Sequence, residues 1–145
     1  MIRAATIDDY ERLAEIYVAA FPSGHAIPDE CWKGHEANFR LILPYWPVLA
    51  FESDGVIEGF LCLVDKHITD FFVMPSKQGR GIGGSLLRRA KEMQPALELE
   101  VYSHNVGAVS FYSKAGCVVE SRYVDWCADK ERLRMKWSRD DARGS

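Results

Sequence analysis

Residues 71–89 read FFVMPSKQGRGIGGSLLRR, and the way this stretch turns decides the fold. It enters as an apolar run, passes four of the chain's eleven glycines between Gly79 and Gly84, and leaves as an amphipathic basic run. A strand turning into a helix is the direct reading. Glycine carries an entropic cost wherever backbone is ordered, so four of them at one junction need a use. A helix start presents N–H groups with no internal partner and the positive end of the helix dipole. Phosphate oxygens bind there provided no side chain blocks the backbone. Gly79, Gly81, Gly83 and Gly84 therefore predict a bare seat for a diphosphate, with Arg80 adding a charge-assisted bond and Gln78 and Ser85 further donors. Ile82, Leu86, Leu87 and Ala90 are the expected buried stripe of the helix, and Arg88, Arg89 and Lys91 lie toward its negative end.

Upstream, MIRAA suits a short strand, and Thr6 with Asp8 and Asp9 opens a helix whose apolar face is Tyr10, Leu13, Ala14 and Tyr17. Pro28-Asp29-Glu30 starts a second helix that closes at Leu41–Leu43 before Pro44. Phe21, His25, Trp32, His35, Phe39, Tyr45 and Trp46 gather in this region, either as core or as the lining of a cleft. VLAFES and VIEGFLCLV flank the hairpin signal Asp54-Gly55, and HITDFFV makes a third strand. Downstream of the glycines come LELEVY, a helix from Asn105 to Gly116, and the strands CVVESRYV and RLRMKW around the polar turn ADKE. This order predicts an α/β (α+β) sandwich with a mixed sheet.

The chain of 145 residues suits one domain, spanning 1–138, with a polar tail at 139–145. A formal charge of -3 argues against nucleic acid or an anionic membrane as partner. Neither a signal-peptide core nor an apolar run of spanning length is visible. Cys31, Cys62, Cys117 and Cys127 form no CxxC pair, which reads as reduced, buried thiols in a cytoplasmic protein. Cys31 and His35 stand at i, i+4 with His25 nearby, but with no second pair the sequence assigns no metal.

Which diphosphate would sit on the glycines? A Walker loop needs Lys before Ser or Thr, and here Gly84 precedes Ser85. Gly79-x-Gly81-x-x-Gly84 matches the dinucleotide fingerprint, with Glu98 and Glu100 on the next strand. In a Rossmann domain, however, that turn follows the first strand, whereas only about sixty residues remain after this one.

Gln78-Gly-Arg-Gly81-Ile-Gly83 resembles the acetyl-CoA loop, Q/R-x-x-G-x-G/A, of the GNAT superfamily of N-acetyltransferases. The resemblance extends to Val73–Pro75, to Leu99-Glu100-Val101, and to Asn105 with Phe111-Tyr112-Ser-Lys-Ala-Gly116. It implies a mostly antiparallel sheet of about seven strands, splayed in the middle and flanked by about four helices. It also implies acetyl-CoA as cosubstrate and an amine as acceptor. In such a fold Phe71 and Val73 would offer backbone groups to pantetheine, Asn105 would cap its own helix and also reach the pantetheine arm, and Tyr112 would be the general acid on the departing thiolate. Glu100 is the candidate base, five residues before Asn105, where a ribosomal-protein N-terminal acetyltransferase of the superfamily has its acidic one. His67 and a water chain are the alternatives. Rival functions are a CoA-binding sensor without turnover and a dinucleotide-dependent oxidoreductase.

Overall fold

A computed structural model describes residues 1–25 and 29–140, with side chains at all of these except 22–25, 29, 30 and 32–35. Seven strands form one sheet: β1 (Ile2–Ala4), β2 (Val48–Ser53), β3 (Val56–Val64), β4 (His67–Val73), β5 (Ala96–Tyr102), β6 (Val118–Asp125) and β7 (Lys130–Ser138). Their spatial order is β1-β2-β3-β4-β5-β7-β6. Four α-helices lie against it: α1 (Tyr10–His25), α2 (Asp29–Ile42), α3 (Ile82–Met93) and α4 (Val106–Lys114). The expected class, strand number and helix number are all met.

Local chemistry sets most boundaries. Thr6 and Asp9 form a capping box around the 3-10 turn leading into α1, with the Thr6 N–H donating to the Asp9 carboxylate at 2.8 Å. Arg3, beside Asp9, holds that carboxyl down at about 2. Asp54-Gly55 turns β2 into β3 with both residues at positive φ. Asn105 caps α4 by accepting from the Ala108 N–H. At the far end of α4, Lys91 of α3 donates to the Ala115 carbonyl and lies over the Trp137 ring, which ties α3, α4 and β7 together.

The core is two-sided. On one face, Leu86, Leu87 and Ala90 of α3 pack on Leu61, Ile68, Leu97, Leu99 and Met135 of the strands. On the other, Leu13, Ile16 and Tyr17 of α1 and Phe39 of α2 pack on Ala50, Ile57 and Phe60. The second layer covers β2 and β3, whereas on the β5–β7–β6 half the same face carries Glu100, Arg134 and Tyr123. The cysteine reading needs correcting. Cys62 and Cys117 are free and buried, but Cys31 and Cys127 are joined in a disulfide across 96 residues of sequence. The side chains of His25 and His35, the other members of the weighed metal cluster, lie outside the described residues.

Candidate active site

All neighbouring strands run antiparallel except β4 and β5, which are parallel and register at a single pair, His67 with Glu98. Beyond that pair the two strands separate. The Met74 N–H donates to the Glu58 carbonyl on β3, so by alternation the backbone groups of Phe71 and Val73 turn away from β3, toward the gap. On the far side, the Ser103 N–H bonds Glu131 of β7 and the Glu98 N–H bonds Lys66, so the backbone of Glu100 faces the gap from β5. The split thus exposes peptide groups that a sheet would otherwise consume.

At the open end of β4 sits the glycine crook. Gly79 and Gly81 have φ of +80° and +85°, a region other residues enter only with strain, and nothing lies within 4 Å of where a side chain would start. Gly81 is the N-cap of α3, and the Ser85 N–H already bonds the Gly81 carbonyl. The first turn therefore offers the N–H groups of Ile82, Gly83 and Gly84. Gln78 donates its amide to the Val73 carbonyl at 3.3 Å, and Lys77 pairs with Glu58 at 3.4 Å, which fastens the crook to β3 and β4. Arg80 is exposed at its tip.

Two expected members behave differently. A Cβ on Gly83 would sit 3.5 Å from the Phe111 ring, an ordinary van der Waals contact, so packing against α4 does not itself demand glycine there. The Ser85 side chain shares a hollow with Met1, Ile2 and Phe51 at the β1–β2 flank, away from the gap.

Tyr112 packs edge-on against Phe71 of β4, with ring centroids 6.2 Å apart, and against Phe111. Burial pushes its phenol above the usual tyrosine range, so it stays protonated. Glu100 is engaged elsewhere. Its carboxylate accepts from the Tyr123 hydroxyl at 2.6 Å and from Arg134 at 3.3 Å, with Arg132 at 3.8 Å. Partial burial pushes its pKa up, but these partners outweigh that and hold it below the ordinary value. His67 lies 3.9 Å from Glu98, which also pairs with Lys66.

Asp70 is the carboxylate that sequence reading passed over. Strand alternation turns it to the opposite face from Phe71, beneath α1 and α2. There it lines a hollow of about 220 Å³ with Tyr17, Phe39, Trp46 and Thr69. Burial pushes its carboxyl up to about 6, against a smaller opposing influence from Thr69. Burial, and then the charge of Asp70, push the Tyr17 phenol above its normal range. The Thr69 hydroxyl is itself buried without a hydrogen-bond partner among the described residues. An open backbone seat and peptide N–H groups turned to a gap fit an elongated ligand carrying phosphates and amides.

The comparisons agree. Residues 7–127 match the acetyltransferase (GNAT) domain family. This chain belongs to the GNAT acetyltransferases.

It is 31% identical to the peptidyl-lysine N-acetyltransferase YjaB of Escherichia coli over 124 residues, covering 83% of this chain and 84% of that protein. The solution structure of apo YjaB from Escherichia coli superposes with a TM-score of 0.83 at 28% identity, covering 94% of this chain and 96% of that one. YncA of Salmonella typhimurium, solved with acetyl-CoA, shares the fold at a TM-score of 0.72 and 22% identity, covering 97% and 94%. As a GNAT enzyme, the protein is an acyltransferase. The oxidoreductase reading falls with that assignment, because the crook opens α3 of a split sheet and no run of βαβ units follows it. No helix among the described residues is long and apolar enough to cross a membrane.

Proposed function

We propose that this GNAT enzyme acetylates amines of protein acceptors, lysine side chains first, with Asp70 as general base and Tyr112 as general acid. One observation carries the reading: the gap between β4 and β5 has the glycine crook at its open end, and on the opposite face of β4 a carboxylate whose pKa burial raises. Donor and acceptor can then approach from the two sides of one sheet.

Acetyl-CoA, when bound, supplies an acyl group activated by a thiolate leaving group. The N–H groups of Ile82, Gly83 and Gly84 receive its diphosphate, with Arg80 beside them. Phe71 and Val73 pair with pantetheine amides in the manner of a missing strand, and Asn105 borders the arm while it caps α4. Asp70, ionised above about pH 6, removes the proton that keeps an ammonium from attacking. Tyr17, Phe39 and Trp46 give the methylene chain of a lysine an apolar wall. Tyr112 donates its proton to the departing sulfur. Asp70 displaces Glu100 from the base role because the ion pairs of Glu100 stabilise its charged form and weaken it as a proton acceptor. The relatives named peptidyl-lysine acetyltransferases support the acceptor class.

Incubation with acetyl-CoA and lysine-containing peptides tests this. Free thiol should appear in step with acetyl-lysine on mass spectrometry, and Asp70→Asn should abolish both signals while leaving CoA binding intact. Tight CoA binding without thiol release over a broad amine panel would leave a sensor in place of an enzyme.

A further inference from the structure

The helix layer over β2 and β3 and the β6–β7 hairpin belong to opposite sides of the split, yet one covalent bond joins them. Cys31 lies in α2, buried at 7% exposure, and Cys127 in the exposed turn between β6 and β7. Their Cα atoms are 6.1 Å apart, within the span a disulfide bridges. The turn is held ready for this. Asp125 accepts from the N–H groups of Cys127 and Ala128 at 3.1 and 3.4 Å and from the Tyr102 hydroxyl at 2.8 Å. Cys31, Tyr102 and Ala128 pack together with Phe21. The bond therefore crosses the end of β5, on the side of the sheet where Asp70 faces its hollow. Among the described residues the only strand pairing across the split is His67 with Glu98, at the other end of β4.

We infer that Cys31 and Cys127 form a reversible dithiol–disulfide site whose oxidation by small-molecule disulfides closes the acceptor mouth of the enzyme. In a reducing compartment such a bond is transient, which suits a control element more than a permanent staple. The exchange balances. The thiolate of Cys127, the accessible one, attacks a small disulfide and releases one thiol, leaving a mixed disulfide. The thiolate of Cys31 attacks the Cys127 sulfur and releases the second thiol. The protein loses two electrons and two protons, and the small disulfide is reduced to two thiols. Cys62 and Cys117 stay out of this exchange, because burial holds both thiols protonated. Reduction frees the start of α2 from the hairpin and opens the approach to Asp70. The crook and α4, on the other side, keep their geometry in both states.

This inference rests on the acetyl-transfer reading for its consequence, though not for its chemistry. The full-length protein is equilibrated in glutathione buffers of graded ratio, alkylated and mapped by mass spectrometry. A Cys31–Cys127 crosslink should form with Cys62 and Cys117 still alkylated. Oxidation should then lower kcat/KM for a folded protein acceptor by about tenfold, and for a small amine by less than about twofold, with unchanged affinity for CoA. Cys31→Ser and Cys127→Ser should hold the reduced rate in every buffer. Absence of the crosslink at all ratios, or equal kcat/KM for the protein acceptor in both states, overturns the inference. If neither state transfers acetyl, the acetyl-transfer reading fails, and hydrogen exchange at the start of α2 decides the clamp: slower exchange on oxidation upholds it and identical exchange refutes it.

Discussion

The proposed donor side and the proposed acceptor side of this enzyme are built on different principles. The crook draws on one continuous stretch from Val73 to Gly84, and its function lies in backbone that no side chain obstructs. The acceptor hollow draws on Tyr17 of α1, Phe39 of α2, Trp46 before β2 and Asp70 of β4, and its function lies in side chains that burial perturbs. The contrast teaches that a site made of peptide groups can be local in sequence. A site that tunes a carboxyl needs walls supplied from far away.

Substitutions can break this contrast, and the largest effect should be on the acceptor side. Asp70→Asn is expected to lower kcat by about 10²–10⁴-fold with CoA affinity unchanged, read by steady-state kinetics and calorimetry. The same change should stabilise the fold. A carboxyl raised to about 6 in the native state contributes stability below its unfolded pKa and loses it as pH rises through 6. Removing the charge should therefore gain up to about 3 kcal/mol at pH 8 in urea denaturation, and little at pH 4. In the wild-type enzyme kcat/KM should climb as pH passes about 6.

Gly81→Val addresses the donor side. Strain at positive φ together with a blocked phosphate seat should weaken CoA binding about 10²-fold by calorimetry, with a loss of about 1–2 kcal/mol in stability. Tyr112→Phe should lower kcat by about 10-fold or more and barely move the affinity for CoA. The smallest effect is expected for Glu100→Gln, where kcat should change by less than about threefold, because a carboxylate bound to Tyr123 and two arginines has no free base to lose. A larger fall would return the base role to Glu100.

The same contrast explains what could be read from the sequence. Glycine spacing, the Asn105 cap and the alternation in HITDFFV are short-range signals, so the crook, the helix starts and the facing of Phe71 and Val73 were all legible. Asp70 was not. Its alternation in β4 is visible, but the burial that raises its pKa comes from α1 and α2 lying over it, and those contacts span tens of residues. The partners of Glu100 were out of reach for the complementary reason. The strand order puts β7 beside β5, which sets Arg134 opposite Glu100, and no local pattern announces that pairing. The Cys31–Cys127 bond is more remote still, since scattered cysteines carry no spacing code for a partner 96 positions away.

The two hydrophobic clusters on opposite faces of the sheet have a consequence for how the enzyme can change. The α3 layer, anchored by Leu86, Leu97 and Met135, and the α1–α2 layer, anchored by Leu13, Tyr17 and Phe39, have no buried residue in common; β2, β3 and β4 lie between them and turn different side chains to each. Substitutions in one layer should add nearly independently to those in the other. A lineage can therefore rework the helix layer over the Asp70 hollow while inheriting the layer behind the glycine crook intact.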